Sequence, residues 1–505
     1  MNKSSFVRSI LQRGTNTYII DIECTLANGL PSMSIVGLGS KAVTESRERI
    51  RSAFAQSGLT FPKKRITVNL APADVPKEST SFDLAIATAI MAVDTTFTQL
   101  QAETDAFIGE VGLDGSIRPV RGIIGQIIAG KKKGIRRFFV PAGNIRQACL
   151  VPETILFGVK SIRELYTILS SETVQPSATT NVAKLSANTA SKNTLHEIQG
   201  QEQAKRALII AAAGRHNILL SGPPGTGKTM LAKALHSLLP PMSSPEMLSV
   251  THVHSLAQTN FEDLVAERPF RAPHHSASQK AIVGGGSPVR PGEMSLAHHG
   301  LLLMDELPEF GRATIEVLRQ PLEDQAINIA RANETVSYPA DFLLVATCNP
   351  CPCGYYGTDK ACSCTPHSIN RYKQKISGPI IDRIDLHVSV HTVEHSLLLA
   401  KVPSVETVAS HHKKIAAACE RQRSRQGAVP NARLNNQEVR SLSRLTVDAE
   451  QLLTAAASRM GLSARSFMRT IKVARTIADL DDDPMIRNAH IAEALQYRPP
   501  SDIQH

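Results

Sequence analysis

Apolar and polar positions change period several times along this chain, and each change marks an element. Tyr18-Ile-Ile-Asp-Ile-Glu-Cys24 alternates as a half-buried strand does, and Arg65-Ile-Thr-Val-Asn-Leu70 repeats that alternation. Lys41 to Ser57 and Ile162 to Leu169 read as helices, and Phe82 to Val93 as a helix apolar enough to be buried. From residue 194 onward, short apolar runs at Asn217-Ile-Leu-Leu-Ser221, Leu301-Leu-Leu-Met304 and Phe342-Leu-Leu-Val-Ala-Thr-Cys-Asn349 predict buried strands. Thr229 to Leu239 predicts a helix just after the first of them. Residues 404 to 505 are mostly helical in pattern, with a Gln- and Arg-rich connection expected near 421 to 427. Between 171 and 193 Ser, Thr, Ala and Asn dominate and no apolar period survives, which predicts a flexible linker. The expected division is therefore an N-terminal domain (1–170), the linker (171–193), an α/β nucleotide-binding core (194–393) and a C-terminal helical domain (394–505).

Composition narrows the setting. A chain of 505 residues is too long for one ordinary core. It has no apolar run long enough to span a membrane and no signal-peptide pattern, so no membrane partner is expected. The eight cysteines are unevenly placed, which argues against a secreted disulfide framework and predicts a cytoplasmic protein. A net charge of +11 favours a polyanionic partner, nucleic acid first. The absence of Trp and an aromatic content of 4% argue against base-stacking platforms and for a grip on the phosphate backbone.

The strongest chemical signal is Gly222-Pro-Pro-Gly-Thr-Gly-Lys-Thr229, which meets the phosphate-loop pattern G-x-x-x-x-G-K-S/T at every fixed position. Such a loop turns backbone N–H groups inward toward phosphate oxygens. Gly222, Pro223, Pro224, Gly225, Thr226 and Gly227 would form the cradle. Lys228 would reach the β- and γ-phosphates of ATP, and the Thr229 hydroxyl would bind Mg²⁺. The apolar run at 301 ends in two carboxylates: Asp305 would help hold Mg²⁺, and Glu306 would polarise the attacking water. Asn349 ends the third run and would align that water. Arg383, in Gly378-Pro-Ile-Ile-Asp-Arg-Ile-Asp385, and Arg465, at a helix start, are cations able to neutralise γ-phosphate charge; surface ion pairing is the plainer role for either.

This ordered set resembles the AAA+ ATPases, in the branch of the magnesium-chelatase motor subunits and the MCM helicases. The resemblance implies Walker A at Lys228 and Thr229, Walker B at Asp305 and Glu306, and sensor 1 at Asn349. It further implies a trans-acting arginine finger at Arg383, sensor 2 at Arg465 and an adenine-side element at Gly200-Gln201. It also implies a C-terminal helical lid and a ring of subunits, most often a hexamer. Two pore-facing hairpins are implied, the first within 268–295 and the second at Ala326 to Pro339, carrying Arg331. Adjacent His274 and His275 diverge on a strand or a helix, which disfavours a metal pair there.

Cys351-Pro-Cys353 and Cys362-Ser-Cys364 place two thiol pairs on either side of a Gly/Tyr/Asp turn. Facing each other, they suit a tetrahedral, closed and therefore structural Zn²⁺ site; unliganded reduced thiols are the alternative. His367 is a substitute ligand, and Cys348 is expected in the core.

Pro76 to Leu84 and Ile108 to Val120 resemble the Lon-protease-like (ribosomal S5-like) α+β fold, also used without proteolysis in RadA-like proteins. Ser81 falls near the nucleophile position, but Arg118 stands where the resemblance calls for a Lys base, and Arg does not deprotonate near neutrality. A degenerate, non-proteolytic domain is expected. Together with Asp305-Glu-Leu-Pro-Glu-Phe310, Cys351-Pro-Cys-Gly-Tyr-Tyr-Gly357 and Leu462-Ser-Ala-Arg-Ser-Phe-Met-Arg469, these features make the whole chain similar to the ComM/YifB family. That resemblance implies a hexameric DNA helicase promoting branch migration during homologous recombination in natural transformation. Ser79-Thr-Ser81 departs from the Gly-Ser-Arg-like stretch the family leads one to expect. A chelatase motor acting on a protein partner, and an ATP-dependent protease, are the rival readings.

Overall fold

The computed structural model describes residues 3–13, 16–37, 41–75, 77, 80–171, 175–179, 195–257, 264–286, 289–330, 335–393 and 405–499. The chain divides into two compact units. The first comprises Met1–Ser186, Ser243–Ala266 and Ala330–Tyr338; the second comprises Ala187–Met242, Glu267–Ile329 and Pro339–His505.

In the first unit an eight-stranded sheet runs in the order 178–179, 155–159, 137–141, 105–107, 3–13, 16–27, 65–71, 32–36. Lys3–Arg13 and Asn16–Ala27 pair antiparallel along their whole length, and Arg65–Ala71 continues that run. The alternation seen in the sequence has its physical origin here: Ile20, Ile22, Cys24 and Leu26 are buried on one face. Helix Asp83–Asp94 is buried along nearly its whole length, and Arg49 neutralises its buried carboxylate Asp83 at 2.9 Å. Ala178–Thr179 adds a short edge strand inside the stretch read as a linker. Of the departing stretch 79–81, Ser79 lies outside the described residues and Ser81 is buried. Arg118 is exposed and lies 3.8 Å from Glu110.

The second unit is built on a five-stranded parallel sheet, in the order 270–271, 301–304, 343–348, 218–221, 386–389. Its three inner strands are almost wholly apolar because both faces are covered. Ile218, Leu220, Leu301, Leu303, Leu343 and Val345 enter one core, with helices Glu202–Gly214, Lys228–Leu238 and Ala464–Leu480. Leu219, Leu302, Met304, Leu344 and Ala346 enter the other. Between the phosphate loop and the acidic pair, Gly284–Gly285 and Arg290–Pro291 form an antiparallel hairpin behind helix Gln279–Val283. The second expected hairpin segment holds the strands Ala326–Ala330 and Thr335–Pro339; Arg331 lies outside the described residues.

One expectation is corrected. Residues 421–426 are not a connection: helix Val405–Gln426 runs through them and ends at Gly427, whose φ is +76°. The polar side chains that suggested a loop are the ones that anchor the helix. Gln422 donates to the Ala213 carbonyl at 3.0 Å, and Arg425 pairs with buried Asp479 at 2.8 Å.

The C-terminal helices are tied to the sheet by charge as well as by apolar contact. His216, just before strand Ile218–Ser221, shares hydrogen bonds with Asp385 at 3.0 Å and with Thr476 of helix Ala464–Leu480 at 2.8 Å. Arg433 donates to Asp341 at 2.9 Å, and Arg215 lies 3.5 Å from the same carboxylate. Burial alone would push the Asp341 carboxyl up, but Arg215, His299 and Arg433 outweigh it and hold the group well below the usual carboxylate range. Asp341→Asn is expected to destabilise the second unit by about 3–5 kcal/mol at pH 7, since it leaves buried cations uncompensated. A depressed carboxyl stabilises above its unfolded pKa and loses that contribution on acidification. In urea unfolding the gap between wild type and variant should therefore hold from about pH 7 to 5 and narrow below about pH 4.

Candidate nucleotide site

The strand Ile218–Ser221 has parallel partners on both sides, so the loop that follows leaves the sheet from a fixed point at its carboxyl edge. The Gly222 N–H donates to the Cys348 carbonyl at 3.1 Å. A Cβ at Gly222 would sit 2.2 Å from the Val390 carbonyl oxygen, so no larger residue fits. Gly225 and Gly227 adopt φ of +81° and +84°, which turns the loop back on itself to start helix Lys228–Leu238.

Lys228 is buried, and burial pulls its ammonium pKa down. Its Nζ donates to Gly222 O at 2.7 Å, Pro223 O at 2.8 Å and Asn349 Oδ1 at 3.1 Å. The ammonium thus sits over its own loop and beside Asn349, where a phosphate oxygen could replace a carbonyl. The Thr229 hydroxyl donates to Asp305 Oδ2 at 3.1 Å. That pair of oxygens suits a hard cation such as Mg²⁺.

Thr347 organises the acidic pair, a role not apparent from the sequence. Its hydroxyl donates to Asp305 Oδ1 at 2.6 Å and accepts the Glu306 N–H at 2.8 Å. The parallel pairing of 301–304 with 343–348 puts it there, one position past the Met304–Ala346 pair. The available signal was a lone hydroxyl in a fully buried apolar strand, which must find a partner. Glu306 is exposed and adopts φ +54°, the left-handed backbone that non-glycine residues take at a cost of about 1–2 kcal/mol.

Arg383 and Arg465 occupy a different place. Both bind the carboxylate of Glu323, Arg465 at 2.9 Å, in a cavity of about 790 Å³ that Arg433, Arg440 and Arg469 also line. Among the described residues, neither arginine is hydrogen-bonded to the loop 222–229. Arg469 links their two segments: from helix Ala464–Leu480 it donates to the Ile384 carbonyl and the Asp382 carbonyl, each at 2.6 Å. Gly200 and Gln201 precede helix Glu202–Gly214 in left-handed backbone, and Gln201 bonds the His391 carbonyl.

Cys351, Cys353, Cys362 and Cys364 bring four sulfurs within 4.8 Å of one another. Cys351 lies 3.3 Å from Cys353 and 3.7 Å from Cys362, and Cys353 lies 3.5 Å from Cys362. These separations far exceed the roughly 2.05 Å of a disulfide. They approach the ~3.8 Å between sulfurs arranged tetrahedrally at about 2.3 Å from a zinc ion. His367 is not among the four, and Cys348 is buried at its strand end.

A glycine-shaped phosphate loop on an interior parallel strand, with paired acids on the next strand but one, defines a P-loop nucleoside-triphosphatase core of the AAA+ type. The chain belongs to the ComM/YifB family of magnesium-chelatase-like AAA+ ATPases. The family of magnesium chelatase subunit ChlI matches residues 194–398, further ChlI families match residues 22–144 and, for the C-terminal part, 405–498. The chain is 42% identical to the competence protein ComM of Haemophilus influenzae, over 98% of this chain and 97% of that one. It is 39% identical to the YifB protein of Escherichia coli over 98% and 97%. It is 25% identical to the magnesium-chelatase 67 kDa subunit of Heliobacterium mobile, over 41% of this chain and 34% of that one. Membership implies ATPase activity with ATP and Mg²⁺. Among the described residues no helix is long and apolar enough to cross a membrane.

Thr347→Val keeps the strand's shape and removes the donor to Asp305 and the acceptor for Glu306. Turnover should fall about 10- to 100-fold while the affinity for a fluorescent ATP analogue changes less than about threefold. A parallel loss of both would mean that Thr347 supports the fold rather than the acids.

Proposed function

We propose that this protein is a cytoplasmic ring ATPase, hexameric in the working state, that moves branched, single-stranded or duplex DNA and so promotes branch migration during homologous recombination in natural transformation. The observation that carries this reading is the full-length match to a competence protein. The basic balance of the chain supports a polyanionic track. A chelatase motor is less well supported, since the likeness to the chelatase subunit of Heliobacterium mobile covers only 41% of this chain. A protease is disfavoured by Arg118 where a lysine base is needed.

In this reading ATP lies in the cradle 222–229 with Lys228 against its β- and γ-phosphates. Thr229 and Asp305 hold Mg²⁺, which when bound neutralises phosphate charge. Glu306 takes the proton of the attacking water, and Asn349, already bonded to Lys228, aligns that water. Arg383 and Arg465 share one carboxylate and one cavity, so they serve together at the ATP of an adjoining copy, where charge released from Glu323 stabilises the transition state. The hairpin 284–291 and the segment 326–339 track DNA phosphates. The four thiols hold a structural zinc ion, the C-terminal helices act as a lid, and the N-terminal domain is a non-proteolytic Lon-like module.

Two experiments test this. Glu306→Gln and Arg383→Ala should each bind ATP yet lose about 10³-fold or more in turnover. Mixed in equal amounts, they should recover up to roughly a quarter of wild-type turnover, because half the Glu306 sites then meet an intact arginine in half their neighbours. No recovery after subunit exchange would sink the shared site. The second is ATP turnover with no DNA, single strands, duplex and a four-way junction. Junction DNA should stimulate most, and about six phosphate contacts should give a log–log salt slope for binding near −5. Indifference to all three DNAs would instead favour the motor acting on a protein.

A further inference from the structure

The segment 351–364 contains no aliphatic side chain larger than Ala and Pro, and only Cys351 and Gly354 in it are buried. It forms no helix or strand. A loop with no core of its own needs a cross-link to hold one shape, and metal binding is then folding free energy. The four sulfurs already converge, and backbone N–H groups point at them: Cys353 N–H donates to Cys364 Sγ at 3.4 Å, and Tyr356 N–H to Cys351 Sγ at 3.3 Å. Such bonds stabilise thiolates and orient them for a cation.

The same loop touches the nucleotide cradle at Gly354 and is joined to it in sequence through Asn349. Gly354 packs so tightly on Pro224 that a Cβ there would lie 2.6 Å from Pro224 Cδ, and its φ is +86°. Asn349, whose side-chain oxygen accepts from Lys228, stands two residues before the fully buried Cys351. The peptide before it carries the Cys348 carbonyl that receives the Gly222 N–H. One side of the cradle therefore rests on the loop that carries the four thiols and on the strand end just before it.

We infer that a zinc-class divalent cation bound by Cys351, Cys353, Cys362 and Cys364 is a clasp that holds Pro224 and Asn349 in their nucleotide-binding positions, so that losing the metal weakens nucleotide binding. This rests on the ATP-site and four-thiolate readings above. It goes beyond them in coupling a closed site, which has no open position for chemistry, to the affinity of the ATP site.

The test uses the full chain purified under reducing conditions with excess zinc. Metal per chain is measured by mass spectrometry, and affinity by titration with a fluorescent ATP analogue in excess Mg²⁺. Wild type should carry one zinc per chain. Cys362→Ser should lose it and bind the analogue about 10-fold or more weakly. Cys364→His, which preserves a four-ligand set, should keep both metal and affinity. Gly354→Ala should keep the metal and still bind the analogue more weakly, because its methyl group pushes the loop off Pro224. That pair separates clasp from collapse, since Cys364→His alters the same loop as Cys362→Ser and Gly354→Ala leaves every thiol in place. Zinc absent from wild type, or retained in Cys362→Ser, overturns the metal site. Zinc lost with affinity unchanged, or full affinity in Gly354→Ala, overturns the coupling and leaves the four-thiolate and ATP-site readings standing.

Discussion

Everything at the nucleotide site depends on the strand Ile218–Ser221 being paired in parallel on both sides. An interior parallel strand has no freedom of register, because a slip of one residue would move Leu219 and Leu220 to the wrong cores. The loop after it is therefore launched from a fixed position. The carboxyl ends of its neighbours deliver Asn349 and, one strand further, Asp305 and Glu306 to the same edge. Hydrogen bonds then close the set: Lys228 to Asn349, and Thr229 through Asp305 to Thr347. No member of this group lies far from a buried strand, which limits how far it can drift without breaking sheet pairing.

Buried charge does a second job, joining helices to the sheet. Asp341 meets Arg215 beside that strand and Arg433 before the C-terminal helices. Asp385 meets His216 and, at 3.7 Å, Arg469. Such contacts are directional, unlike apolar packing, so they set the orientation of helix Ala464–Leu480 as well as its attachment. The helix carries Arg465 in its first turn, and Arg469 one turn on grips the segment bearing Arg383. Two cations distant in sequence are thus held on a shared counter-ion, Glu323. The Arg465–Glu323 pair is partly exposed and therefore weak, so a stronger anion could displace it.

Much of this was legible in the residues. The phosphate loop, the acidic pair and the Asn-ended strand are local patterns whose chemistry follows from residue type and spacing, and the full-length family resemblance is upheld by the comparisons. The alternation at 18–24 and the apolar runs at 301 and 343 each correspond to real strands. The stretch 421–427 misled because Gln and Arg signal solvent in composition, whereas here they face Ala213 and Asp479. Thr347 is silent in the sequence because one hydroxyl in an apolar run has no meaning until its neighbour across the sheet is known.

By itself, then, the order of residues determined the chemical inventory: which loop can cradle phosphate, which acids and amide follow, and which thiols can share a cation. Those are properties of short segments, set by backbone freedom, charge and spacing. Tertiary structure alone decided which of them meet. Strand pairing brought Thr347 to Asp305, and helix docking gathered Arg383 and Arg465 on Glu323. Packing of Gly354 on Pro224 set the cysteine loop against the cradle. These encounters join residues far apart in the chain, and their geometry arises only when the sheet and its two cores form together.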